Sequence, residues 1–103
     1  MAKIKIATSD TIPEYRGYMF NCPGCQEIHV PNQAWGFNNN LDKPTLTSSI
    51  LVNGTERSKA RGRKRCHSFV KDGMIQFLDD CDHALAGQTV ELPDWPEHDK
   101  EVN

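Results

Sequence analysis

Four cysteines in a chain of 103 residues constrain what this sequence can fold into more than any other feature. Cys22 and Cys25 bracket a Pro-Gly turn, and Cys66 and Cys81 follow with fourteen residues between them. A chain this short has room for one domain, taken here as residues 1–103, with a modest core. Its apolar fraction is 37%, and a small domain with a thin core commonly leans on a metal or on disulfides. The opening MAKIKIATSD lacks the apolar run of a secretory signal. No stretch approaches the roughly 18 apolar residues of a membrane span. These features point to a cytoplasmic setting without membrane association, where thiols stay reduced and cysteine clusters hold metal before they hold disulfides.

The hydropathy pattern predicts a mainly β chain: a small antiparallel domain with zinc-ribbon-like hairpins and one short helical turn. Residues 3–7 (KIKIA) alternate with the period of a half-buried strand, residues 15–20 (YRGYMF) make a second, and residues 27–30 (EIHV) a third. Residues 32–44 form a long polar loop carrying Trp35 and Phe37, of the kind that packs back on a domain and often carries function. Residues 45–52 (TLTSSILV) predict a buried strand closed by Asn53-Gly54. Residues 65–70 and 74–79 flank Asp72-Gly73, a strong hairpin signal. Residues 82–86 predict a helical turn capped by Asp82 and ended by Gly87, and residues 88–92 a last strand. From about residue 93 an acidic tail is expected to fray.

The short Cys22–Cys25 turn lets both sulfurs face one ion at about 2.3 Å, the shape of a zinc knuckle. Cys66 and Cys81 would complete a four-thiolate site of the form C-x2-C…C-x14-C, holding a structural Zn2+. The hairpin register bears on this. A two-residue turn at Asp72-Gly73 puts Cys66 and Cys81 on one face, whereas a three-residue turn moves Cys81 to the face of His67 and Phe69. A mixed site in which His67, His83 or His29 replaces one thiol stays open. So does a metal-free chain whose cysteines are small buried hydrophobes.

A closed four-ligand zinc is structural, so catalysis would fall to its neighbours. Acyl transfer needs a nucleophile, a base within hydrogen-bond reach and a group that orients the base. Ser49 and Ser68 are candidate nucleophiles, His67 and His83 candidate bases, and Asp80 or a second histidine the candidate orienting group. The Gly87-Gln88 segment could offer backbone N–H groups or its amide to an oxyanion. The bland alternatives are a strand serine that merely packs and a His83 that caps its own turn. A separate feature is the basic run Arg57, Lys59, Arg61, Arg63, Lys64 and Arg65, half of the 12 Lys and Arg residues. It could grip nucleic-acid phosphates. With no aromatic beside it, a solvated loop is favoured instead.

Taken together, CPGC with its following histidine, the Trp-and-Asn loop, PTLTSSILV and CHSFVKDGMIQFLDDCDHALAGQTVELPDWP resemble a phage and bacterial family often labelled "ammonia monooxygenase". Relatives of that family occur as the BubE component of bacterial ubiquitin-like operons, where they act as peptidases that trim the ubiquitin-like protein. The resemblance spans roughly residues 15–96 and does not support copper or membrane chemistry, since the candidate ligands are thiolates. It implies a zinc-containing serine-type peptidase, bacterial or phage-encoded, acting on a peptide or isopeptide bond of a protein substrate. The family pattern reads PSIL and CTHALAG where this chain has Ser48-Ser49-Ile50-Leu51 and Cys81-Asp82-His83. An aromatic at the position of Ser68 in some members favours Ser49 as nucleophile. The rival expectation is a non-enzymatic zinc-ribbon-like module that binds nucleic acid or protein through residues 57–65.

Overall fold

A computed structural model describes residues 2–96. The fold is mainly β: two small antiparallel sheets and one short helix. The first sheet has the order β1 (Lys5–Ala7), β2 (Gly17–Cys22), β3 (Glu27–His29). The second has the order β4 (Ile50–Val52), β5 (Cys66–Lys71), β6 (Met74–Phe77), β7 (Thr89–Glu91). Helix α1 (Glu56–Ala60) connects β4 to β5. Among the described residues no helix is long and apolar enough to cross a membrane.

Period-two alternation decides which side chains enter the core. Along β5, Cys66, Ser68 and Val70 are buried while Phe69 and Lys71 face out, with His67 between these extremes on the outer side. Ile75 and Phe77 enter from β6, and Tyr18, Phe20 and Cys22 from β2. The hairpin between β5 and β6 takes the two-residue form, with Val70 opposite Ile75 and Lys71 opposite Met74. Both turn residues have positive φ, 51° at Asp72 and 79° at Gly73, the primed turn whose twist matches the flanking strands. That register aims Cys66 inward and His67 outward.

Three local expectations need correction. The strand expected over residues 45–52 is regular only from Ile50. Leu46 N–H donates to Val70 O, yet Ile50 pairs with Ser68, so four steps on one side match two on the other. Residues 47–49 bulge out, with Ser48 at φ 66°. Thr47 is pulled toward the preceding loop, donating its N–H to Gly36 O and accepting the Gly36 N–H on its hydroxyl. Next, the basic run begins in α1 rather than in a plain loop, because Thr55 caps the helix by accepting the Ser58 N–H. Finally, residues 82–86 form turns and not a helix, with Gly87 closing them at φ 78°. Asp82 is drawn away to accept the Arg65 N–H, and His83 Nδ1 accepts the Leu85 N–H instead.

The segment expected to fray begins by docking. Trp95 is buried and donates its N–H to Ala2 O, and Asp94 pairs with Lys3. The remainder of the expected tail, residues 97–103, lies outside the described residues.

Candidate functional site

The inner faces of the two sheets converge on sulfur and imidazole. Cys22 ends β2, and His29 stands opposite Phe20 on β3, so the two are diagonal neighbours on the inner face. The turn between those strands carries Cys25, whose N–H donates to Cys22 Sγ at 3.4 Å. From the other sheet, Cys66 brings its sulfur to 3.8 Å from Cys22 Sγ. One donor atom each from Cys22, Cys25, His29 and Cys66 lies within 4.8 Å of every other. Tetrahedral zinc with Zn–S bonds of about 2.3 Å requires S···S edges of about 3.8 Å, which is the Cys22–Cys66 distance.

The thiols do not titrate alike. Cys22 is pushed down to about 4, chiefly because Cys66 donates its S–H to the Cys22 sulfur, which outweighs burial; His29 and the Cys25 N–H add to the effect. Cys66 keeps its proton and is raised, first by that bond and then by burial. Cys25 is pushed up to about 11 by burial and by the charge on Cys22. Such a cluster carries one negative charge among three sulfurs, and a divalent cation would let the others ionise. His29 also has a buried Nε2 with no hydrogen-bond partner. The donor set, spacing and orphaned nitrogen fit a zinc ion held by three cysteines and one histidine.

Cys81 falls in a second trio with Cys66 and His83. Its sulfur accepts the His67 N–H and its thiol reaches His67 O, both at 3.2 Å. His83 packs edge-on against Phe77 at 4.5 Å and lies so close to Gly24 that a Cβ there would come within 2.2 Å of the ring. Its Nδ1 accepts the Leu85 N–H, so in the neutral ring Nε2 carries the proton. That buried Nε2 has no partner. It is thus arranged as a donor toward the thiols more than as a ligand.

On the outer face of the second sheet a different group assembles. His67 Nδ1 lies 3.2 Å and 3.3 Å from the two Asp80 carboxylate oxygens. Leu51 is opposite His67 in the ladder, whose last pair on this side is Ile50 with Ser68. Ser49 is half-buried and precedes that pair, two residues before the ladder partner of His67. Ser49 sits at the end of the strained bulge, and its carbonyl accepts the Trp35 Nε1–H at 3.2 Å. The Ser49 N–H has no hydrogen-bond partner among the described residues. Ser68 is fully buried, and its Oγ points into the core without a partner, away from His67.

Of the residues singled out in the sequence, His67 and Asp80 meet, Ser49 lies at the end of the bulge that leads into the neighbouring strand, and His83 belongs with the thiols on the opposite side. The Gly87 and Gln88 N–H groups are engaged by Phe77 O and Leu85 O and cannot serve an oxyanion. His29 joins the cluster where Cys81 was expected, and its spacing of four residues from Cys25 is a ligand spacing visible in the sequence. Trp35 as the partner of Ser49 has no such signal, because their meeting depends on where a loop folds back.

A profile of the family described as "Bacterial ubiquitination-like system serine protease (BubE)" matches residues 2–78. No curated protein gives a significant match, and neither does any solved structure.

Proposed function

The chain belongs to the BubE serine protease family, and from that premise we propose that it is a serine-type hydrolase of peptide or isopeptide bonds, its substrate being the tail of a ubiquitin-like protein. The His67–Asp80 pair, with Ser49 two residues before Leu51, the ladder partner of His67, is the observation that carries the proposal. Asp80 accepts a hydrogen bond from His67 Nδ1–H, which fixes the tautomer and leaves the Nε2 lone pair free as base. Ser49 Oγ attacks the scissile carbonyl carbon and passes its proton to His67. The tetrahedral intermediate collapses, His67 returns the proton to the leaving amine, and an acyl-Ser49 ester remains. Water, deprotonated by His67, then hydrolyses that ester. The unengaged Ser49 N–H is available to the developing oxyanion.

In this proposal the metal is structural. Cys22, Cys25, His29 and Cys66 would hold it, and a closed four-ligand zinc supplies folding energy rather than a reactive water. Cys81 keeps its thiol on His67 O, and His83, buried beside Cys66 and Cys81, would turn its Nε2–H toward the thiolates, which takes it out of the candidate bases.

Ser49→Ala should reduce cleavage of a ubiquitin-like substrate by roughly 10³-fold or more, and His67→Ala by roughly 10²–10⁴-fold. Both variants should retain their zinc content and melting temperature. Undiminished turnover in Ser49→Ala would refute the assignment.

The basic segment supports the second reading, a nucleic-acid or protein-binding module, because α1 and the residues after it leave Arg57, Lys59, Arg61, Arg63 and Lys64 exposed. Binding to single- or double-stranded DNA or RNA with a steep salt dependence, together with an inactive wild type, would favour it.

A further inference from the structure

The outer face of the second sheet carries more than the catalytic candidates. Rows run across the strands: Phe69 pairs with Gln76, and Gln76 with Thr89. On the other side of β5, Ile50 pairs with Ser68, the residue before Phe69, and Ser49 precedes Ile50 in the bulge. A groove of about 620 Å³ runs from the Phe69 row toward the β5–β6 turn, with Phe69, Gln76 and Thr89 in the row, Met74, Lys71 and Asp72 toward the turn, and Thr45 and Leu46 as one wall. Phe69 and Met74 are 39% and 38% exposed, and Leu51, the ladder partner of His67, is 53% exposed. Contiguous exposed apolar groups of this size on a small domain mark a binding surface more often than chance.

Phe69 is the junction. It is the next outward residue after His67 on β5, and it adjoins Ser68, the ladder partner of Ile50. A substrate held between Ser49 and His67 and running along β5 would place a flanking side chain toward Phe69, which lines the groove. Met74 adds a flexible apolar patch, a side chain well suited to irregular apolar ligands. Gln76 and Thr89 line the groove with an amide and a hydroxyl that can bond a peptide backbone.

We propose that this groove is the specificity subsite of the enzyme, taking a large apolar side chain (Leu, Met or Phe) from an extended substrate segment beside the scissile bond. This rests on Ser49 being the nucleophile. Phe69 and Met74 are specificity residues here: they select the substrate and do not act on the reacting atoms. Filling an apolar pocket of this kind discriminates between large and small side chains by about 10–200-fold.

Two alkyl fluorophosphonates, one with an ethyl chain and one with a long unbranched chain, test the groove without a known substrate. Ser49 Oγ forms a bond to phosphorus, the P–F bond breaks, fluoride leaves and the serine proton passes to His67. The readout is the ratio of the long-chain to the short-chain labelling rate at Ser49, followed by intact mass and peptide mapping. The wild type should show a ratio of about 10 or more. In Phe69→Ser and Met74→Ser the ratio should fall toward one. Thr89→Trp, which fills the groove from its far strand, should lower it without removing any apolar contact. A ratio unchanged in all three variants, with Ser49 still labelled, overturns the groove while leaving the nucleophile intact. Absence of labelling of Ser49 by either probe in folded wild type overturns the peptidase proposal and the groove with it.

Discussion

Ser48 is where the backbone at the candidate site departs from ordinary strand geometry. Its φ of 66° lies in the left-handed region that side chains other than those of Gly and Asn avoid, and holding such a residue there costs on the order of 1–3 kcal/mol. The strain is held from outside the strand: Trp35 fixes the Ser49 carbonyl, and Gly36 makes two hydrogen bonds to Thr47. Ser48→Gly should relieve it, keeping or raising stability, while β-branched Ser48→Val should destabilise by roughly 1–3 kcal/mol. Urea unfolding compares the two, and equal midpoints would show that no strain is stored there. Trp35→Phe keeps the ring and removes one hydrogen bond, a loss of about 1 kcal/mol in stability. Because its partner is the Ser49 carbonyl, it should lower kcat more than it raises KM; an unchanged kcat would separate Trp35 from the placement of the nucleophile. The serines and Trp35 could be read from the sequence, but the bulge could not. It arises because Leu46 and Ile50 hold to β5 at registers two residues apart, and that mismatch exists only after the loop has docked.

Among the elements, the β5–β6 hairpin was the most fully specified locally. Asp72-Gly73 demands positive φ at both positions, and that single turn sets which of Cys66 and His67 enters the core. Helix α1 was hidden because its basic composition signals solvent exposure, which a capped surface helix and a loop share; the local clue was Thr55 three residues before Ser58. The pairing of the chain's beginning with its end is a long-range device. Lys3 is nearly buried, and its ammonium lies 3.0 Å from both Glu91 and Asp94. Burial opposes the charge, but the bonds to Glu91 and Asp94 outweigh it and hold the pKa above the ordinary lysine value of 10.5. A raised folded-state pKa means that this contribution is complete below the unfolded value and is lost as pH climbs through the folded one. Wild-type stability should therefore fall on passing from about pH 9 to above about pH 11, and Lys3→Met should lack that component of the slope. Denaturant unfolding at those pH values measures it. Parallel slopes in the two proteins would exclude the Lys3 contribution.

At the scale of the whole molecule, the cluster of Cys22, Cys25, His29 and Cys66 joins what the hydrogen-bonded ladders leave separate. Cys22, Cys25 and His29 belong to the hairpin of the first sheet, and Cys66 begins the central strand of the second. One ion bound by all four would cross-link the sheets through the middle of a small core. Structural zinc contributes on the order of 10–16 kcal/mol in small domains, which matches or exceeds a typical total stability of about 5–15 kcal/mol. Purified protein should contain one zinc per chain by elemental analysis, and a strong chelator should abolish its near-UV circular dichroism. His29→Ala should weaken zinc retention far more than His83→Ala. A stably folded, metal-free chain would remove the metal from the account, and equal losses in the two variants would remove the ligand assignment.

The sequence by itself determined the β class, the primed hairpin turn, the thiol-rich character of the core and the reactive residue types on which any chemistry must draw. These follow from period-two alternation, from turn residues that tolerate positive φ, and from the scarcity of cysteine in a short reduced chain. Only the tertiary structure decided the partnerships. His29 stands beside the thiols, His67 beside Asp80, and His83 behind Gly24 in the core. Three histidines with the same chemistry received three environments: strand pairing sets the faces that His29 and His67 occupy, and the turns after β6 place His83 against Gly24, so each position depends on residues far apart in the chain.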